Sequence, residues 1–142
     1  MALSIYLDAS VIVALFLDDP FASRADLAIR GKGVPLIVSD FAAAEFASSV
    51  ARHVRTGEVS RQEAQDAFSD FDIWIGRAFE RTEATNADML AAQVFLRRLD
   101  LNLRTPDALN IAIAQRIGAQ LATFDVRMAE NAKSLGVPLA AV

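Results

Sequence analysis

Two spacings of apolar residues alternate along the chain, and together they lay out most of a fold. Short apolar runs at Ser4–Leu7, Val34–Val38 and Leu121–Phe124 read as strands, with a weak one expected near Phe79–Arg81 and a last edge strand over Pro138–Val142. Between them the apolar positions recur at helical spacing. Ala9–Leu17 reads as a helix, and Phe21–Arg30 as a second one ended by Gly31-Lys32-Gly33. Ser39-Asp40 offers an N-cap for a long helix from Phe41 to about Arg55, closed by Gly57. Ser60 with Glu63 has the form of a capping box and opens a helix to about Ile75, with Phe68, Phe71 and Ile75 on one side. Asn86 is expected to cap a helix running to about Leu99, with Ala87, Leu90, Ala91 and Val94 as its apolar stripe. Thr105-Pro106 starts the almost wholly apolar helix Pro106–Ile117, where a proline at the first position sacrifices an N–H that has no helical partner. Val126–Leu135, striped by Met128, Ala132 and Leu135 and stopped by Gly136, is the last helix.

Strands separated by helices imply parallel pairing through right-handed crossovers, hence an α/β fold with helices on both faces of one sheet. A length of 142 residues, without internal repeat or linker, fits one domain over 1–142. With 54% hydrophobic and 23% charged residues and a mean hydropathy of +0.30, the chain can bury a large core, which excludes disorder as its main state. The apolar run Ala9–Leu17 is too short to span a bilayer, and Asp8 interrupts the stretch where a signal peptide needs its apolar region. A cytoplasmic protein with no membrane association is therefore expected. The absence of cysteine and the single histidine, His53, exclude disulfide scaffolds, thiolate zinc sites and multi-histidine metal sites. A net charge of −4 argues against a broad basic surface that holds nucleic acid by charge alone. Local arginine clusters (Arg52, Arg55 and Arg61; Arg77 and Arg81; Arg97, Arg98 and Arg104) suit bidentate anion contacts, but solvated helix faces paired with the many Asp and Glu are the readier explanation of each, and the clusters alone decide nothing.

In open α/β sheets ligands bind beyond the carboxyl ends of the strands, and the residues there are mostly acids. Asp8 follows the first strand, Asp125 follows the fourth, and Asp107 lies in the first turn of the apolar helix, directed back toward the same edge. Each has a local explanation as well, Asp8 and Asp125 as N-caps and Asp107 as a complement to the helix dipole. Asp107 and Asn110 nevertheless share one polar face on a helix otherwise built from alanine, leucine and isoleucine. Glu45 falls on the side of its helix with Phe41, Ser48, Ser49 and Arg52, away from Phe46, Val50 and Val54. That placement permits a part in the site, and an ordinary solvated glutamate fits it too. Two carboxylates about 4 Å apart repel by roughly 1–4 kcal/mol, so a cluster calls for a cation. Oxygen ligands without sulfur or imidazole select Mg²⁺ or Mn²⁺, whose characteristic chemistry is phosphoryl transfer. Asp18, Asp19, Asp40 and Asp88 read as caps and turns, His53 as a helix-surface residue, and Trp74 and the phenylalanines as core and interface rather than base-stacking platforms.

Taken in order, these segments resemble one known family end to end. Tyr6-Leu7-Asp8-Ala9-Ser10, Ser39-Asp40 through Glu45, Thr105-Pro106-Asp107-Ala108-Leu109 and Thr123-Phe124-Asp125 resemble the four acidic motifs of the PIN-domain ribonucleases, and within them the VapC toxins of bacterial type II toxin–antitoxin modules. The helix break Arg55-Thr56-Gly57-Glu58-Val59-Ser60 resembles that family too. The resemblance implies a PIN-like three-layer α/β/α sandwich around a short parallel sheet of four to five strands. It implies an endoribonuclease in which Asp8, Glu45, Asp107 and Asp125 bind Mg²⁺, with Mn²⁺ as a substitute. Ser10 and Thr123 would orient carboxylates or water, and Asn110, where relatives often carry another residue such as histidine, would lend a supporting hydrogen bond. A metal-activated water would then cut an RNA phosphodiester to leave 5′-phosphate and 3′-hydroxyl ends. The implied partners are a cognate VapB-type antitoxin and a second copy of the chain. Val11, Val13, Leu15 and Phe16 offer either a groove for the antitoxin or simple core packing. Two other readings compete. A haloacid-dehalogenase-type phosphohydrolase is disfavoured because Ala9-Ser10 follows Asp8 where a second aspartate is typical. A PIN-like RNA- or protein-binding module without nuclease activity is the stronger alternative, although missing acids would be expected of it and all four are present.

Overall fold

The computed structural model describes residues 3–30, 33–78 and 80–142. Its elements in chain order are β1 (Ile5–Leu7), α1 (Ala9–Phe16), α2 (Ala22–Ile29), β2 (Leu36–Ser39), α3 (Asp40–Arg55), α4 (Arg61–Ala78), β3 (Glu80–Thr82), α5 (Asn86–Leu96), α6 (Thr105–Ile117), β4 (Gln120–Ala122) and α7 (Val126–Ser134). The strands pair in parallel in the order β3-β2-β1-β4, with Ile5 opposite both Leu36 and Gln120 and Ile37 opposite Glu80. The edge strand expected at Pro138–Val142 is reduced to one parallel bridge between Leu139 and Leu121. Phe79, expected in the weak strand, and Gly31-Lys32, expected to end the second helix, lie outside the described residues.

Alternation along the strands divides the core in two. On one face Leu7, Val38 and Ala122 pack with Val11, Phe46, Phe71 and Ile75. On the other Tyr6, Ile37 and Leu121 pack with Leu109, Ile111, Ile113 and Met128. The result is the expected α/β/α sandwich. Every residue from Asp107 to Ala114 is buried, so α6 is an interior helix packed by α5, α7 and β4. Gly118, at φ 67°, supplies the left-handed residue that ends α6 and turns the chain into β4.

Two local expectations are corrected. The cap of α5 is Thr85, whose hydroxyl accepts from Asp88 N while the Asp88 carboxylate accepts from Thr85 N; Asn86 is already helical. That helix ends at Leu96, and its buried positions are Asp88 and Ala92, whereas Leu90 and Val94 are 55% and 64% exposed. The expected stripe therefore lies on the outside, because Asp88 draws the opposite face inward to Arg116. In α1, Val11 to Ala14 are buried and Leu15 and Phe16 pack against the same core, so core packing accounts for most of this segment, while Val13 also lines a cleft at the sheet's carboxyl edge.

Candidate active site at the carboxyl edge of the sheet

Asp8, Glu45, Asp107 and Asp125 line one open cleft of about 780 Å³ at the carboxyl ends of β1, β2 and β4, together with Ser10 and Asn110. Ser48, Ser49 and Arg52, which share the helix side of Glu45, form part of the same wall. Local helix chemistry places two of the acids. Asp8 is the N-cap of α1 and accepts from Val11 N, and Asp125 is the N-cap of α7 and accepts from Met128 N. Strand β4 ends at Ala122, so Thr123 and Phe124 form a turn between the sheet and Asp125.

That turn is tied to the first strand. Ser10 Oγ donates to Asp8 Oδ1 at 2.6 Å and accepts from Phe124 N at 2.9 Å. Thr123 Oγ1 donates to Asp8 Oδ2 at 2.5 Å and accepts from Asp125 N at 3.0 Å. Asp8 is thus 2% exposed and held by three neutral donors. Burial pushes its pKa up to about 6 in spite of those bonds, and the charge of Asp125 adds to the shift.

Glu45 is positioned by a buried relay that sequence reasoning found only in part. Ser39 Oγ accepts from Ala42 N and lies 2.7 Å from the Tyr6 hydroxyl, which donates to Asn110 Oδ1 at 2.5 Å. The Asn110 amide then donates to Pro106 O at 3.0 Å and to Glu45 Oε1 at 2.7 Å. Because Tyr6 supplies the donor on one side, the carboxamide must turn its NH₂ toward Glu45. Burial, with the charges of Asp8 and Asp107, raises the Glu45 pKa against that hydrogen bond.

Asp107 accepts from Arg104 N at 3.3 Å at the start of α6. Its pKa is raised by burial and by Asp125, and the one guanidinium beside it among the described ion pairs, Arg127, stands 3.7 Å away. The Arg127 Nε is buried without a hydrogen bond among the described residues. Carboxylates that hold protons this readily lack sufficient positive charge around them. Among the described residues no three acidic or imidazole side chains close on one point. Asp8, Glu45, Asp107 and Asp125 are the oxygen donors that could hold a hard divalent cation in the cleft.

Other sequence readings resolve differently. Asp88 is more than a cap, since Arg116 bonds both its oxygens at 2.8 and 3.0 Å. Asp40 accepts from Ala84 N, and Asp19 from Phe21 N. His53 lines the cleft, but its Nδ1 lies 2.6 Å from Ser49 O within its own helix. Phe21 departs from the core role expected of the phenylalanines, being 39% exposed, whereas Phe124 packs against the core as expected and also lines the cleft. The position of Phe124 beside Asp125 was the available signal; nothing in the spacing identified Phe21.

A short parallel sheet wrapped by helices, with four acids from separated segments in one cleft at its carboxyl edge, is the architecture of a PIN domain. A PIN-domain family model matches residues 5–134, and the chain belongs to that family. Ribonuclease VapC46 of Mycobacterium tuberculosis is 30% identical over 141 residues, covering 97% of each chain. Ribonuclease VapC3 of Pyrobaculum aerophilum is 26% identical over 136 residues, which is 96% of this chain and 100% of that relative. Among solved structures, M. tuberculosis VapC20, described as a toxin that cleaves the sarcin-ricin loop, superposes with a TM-score of 0.72 at 19% identity over 89% of this chain and 93% of its own. The VapBC2 complex of Rickettsia felis bound to promoter DNA gives a TM-score of 0.71 at 17% identity, covering 96% and 97%.

Proposed function

We propose that this chain is a divalent-metal-dependent endoribonuclease and the toxin of a type II toxin–antitoxin pair. The observation that carries this reading is the convergence of Asp8, Glu45, Asp107 and Asp125 on one cleft, three of them with raised pKa. The 30% identical relative named a VapC ribonuclease supports the choice of RNA. A bound Mg²⁺ or Mn²⁺ would supply an acidified water and neutralise charge at the scissile phosphate, leaving 5′-phosphate and 3′-hydroxyl ends. The chain's own residues prepare the place. Ser10, Thr123 and Val11 occupy three of the four acceptor positions of Asp8, which fixes the direction of the one left among the described residues. Asn110 fixes one oxygen of Glu45, and Arg127 offers Asp107 a partial counter-charge.

The VapBC complexes among the structural neighbours support a VapB-type antitoxin as partner. The exposed Leu90 and Val94 of α5 provide an apolar face for a homodimer. No helix among the described residues is long and apolar enough to cross a membrane, which is compatible with action in the cytoplasm.

The test is cleavage of total cellular RNA by antitoxin-free protein, with Mg²⁺, Mn²⁺ or EDTA, comparing wild type with Asp8→Asn. Discrete fragments that disappear with EDTA, and fall at least about a hundredfold in the variant, are expected. Cleavage that survives both changes would come from another source. Mn²⁺ binding without any cleavage would favour the binding-module alternative.

A further inference from the structure

Phe21, exposed on the cleft wall, stacks on Phe124, which packs against the core. Their ring centroids lie 4.8 Å apart at an interplanar angle of 12°. The other aromatic pairs of the described residues, around Phe16, Phe46 and Phe71, are T-shaped or tilted, as edge-led core packing favours. The Arg24 guanidinium sits 5.2 Å from both ring centroids and donates to Val142 O at 2.9 Å. Asp19 fixes the approach: its carboxylate accepts from Phe21 N at 2.8 Å and its carbonyl from Ala22 N at 3.0 Å, which sets Phe21 at the head of α2. A ring held this firmly, yet 39% exposed on a cleft wall, keeps apolar surface in contact with water instead of burying it.

The stack is also joined to the acids. Phe124 lies between Thr123, whose hydroxyl bonds Asp8, and Asp125, and its own N–H donates to Ser10 Oγ. We propose that the Phe21–Phe124 pair, braced by Arg24, is a stacking platform for a nucleobase beside the scissile phosphate of single-stranded RNA. This rests on the ribonuclease reading above and names how that site holds its substrate. A cation at the acids would hold one phosphate but not the base beside it, whose placement is left to contacts that charge does not govern. Stacking on a flat aromatic face is such a contact, and the neighbouring guanidinium strengthens it. A base can reach the platform only when unpaired and unstacked, so the platform favours loops and single strands over duplex.

The experiment uses antitoxin-free full chain, Mn²⁺ and a fluorescein-labelled 12-nucleotide single-stranded RNA of mixed sequence, and reads Kd by anisotropy, alongside KM and kcat on a fragment that wild type cleaves. Phe21→Leu keeps an apolar side chain but removes the π-face. It is expected to raise Kd and KM roughly 5- to 100-fold, with the loss in KM rather than kcat, and Phe21→Trp is expected to restore binding. Thermal unfolding confirms that each variant is folded, and Mn²⁺ binding is expected to match wild type. Replacing the nucleotides one at a time by abasic sites should find one position at which wild type and Phe21→Leu bind equally. Wild-type affinity in Phe21→Leu, with cleavage intact, overturns the platform alone. RNA binding unchanged while antitoxin affinity falls assigns the face to a protein and overturns it also. A wild type that neither binds nor cuts RNA overturns the ribonuclease reading and the platform with it.

Discussion

Asp8 and Asp88 are both shielded from solvent, at 2% and 1% exposure, and each accepts from a backbone N–H at a helix start, but Asp8 lies deeper in the protein. They differ also in the charge of their partners. Burial alone would raise the pKa of Asp88, but both arms of Arg116 and the backbone and hydroxyl of Thr85 hold it below the usual carboxylate range. Asp8 meets only neutral donors and another acid, and burial pushes it up to about 6. The seam between α5 and α6 carries its own cation, so its acid is a finished structural pair. Among the described ion pairs, the four acids of the carboxyl edge have one partner, Arg127, at 3.7 Å from Asp107. Shielding from solvent alone therefore does not set Asp8 apart from Asp88; the lack of a matched cation does.

The largest loss of stability expected from breaking this contrast is at the finished pair. Arg116→Met leaves Asp88 ionised, buried and unpaired. Loss of one partner of a buried pair costs about 3–5 kcal/mol, and the 35% exposure of the Arg116 side chain reduces this to about 2–3 kcal/mol. Urea unfolding measures the loss, and the Mn²⁺-induced rise in Tm should be the same as in wild type. A loss under about 1 kcal/mol would make the pair an ordinary surface bridge and remove the contrast.

At Asp8 the expected effect is similar in size and opposite in sign. Its folded pKa of about 6 lies above the unfolded 3.8, so its stabilising contribution is complete below pH 3.8 and is lost as the pH rises through about 6. Ionised at pH 7 without metal, it costs roughly 3 kcal/mol. Asp8→Asn keeps the helix cap, so in EDTA it should match or exceed wild-type stability at pH 7 by up to that amount. Glu45 and Asp107 are raised as well, so the variant should flatten the pH slope without abolishing it. Saturating Mn²⁺ should reverse the order, because it stabilises the wild-type fold more. Asp88 carries the opposite linkage: its contribution is present above pH 3.8 and is lost as the pH falls below that. A metal-free Asp8→Asn protein several kcal/mol weaker than wild type at pH 7 would reduce Asp8 to a cap.

The half of this contrast that rests on chain-local chemistry was legible in the sequence. Strand ends, Asp at helix starts and the Asp107–Asn110 face depend on spacing within a few residues, and they located the acids on one edge. What periodicity cannot supply is which of two helix faces turns inward. In α5 the apolar count favoured Leu90 and Val94, but the Asp88–Arg116 pair, 28 residues apart in sequence, decided the orientation. Phe21 was hidden for the same reason, since its stack on Phe124 joins segments that only the fold brings together. The Tyr6–Asn110–Glu45 relay spans separations of 104 and 65 residues. The spacing gave Asn110 a reason to be polar but could not show what it held.

That relay gives the finest test of whether the open site depends on buried neutral bonds as the finished pair depends on charge. Tyr6→Phe removes one hydroxyl from a residue that is 0% exposed, leaving Asn110 Oδ1 without its donor and Ser39 without its acceptor. The fold should lose about 1 kcal/mol, near the lower end for an unsatisfied buried polar group, because Ser39 Oγ still accepts from Ala42 N. The carboxamide would then be free to turn, and Glu45 Oε1 would lose its fixed donor. Mn²⁺ affinity, read by calorimetry, should fall about tenfold, toward the lower end of effects seen when groups behind a metal ligand are removed. Arg116→Met, more damaging to the fold, should leave that affinity unchanged. Equal Mn²⁺ affinity in Tyr6→Phe and wild type would show that Glu45 needs no such support, and the relay would then serve only the packing of β1 against α6.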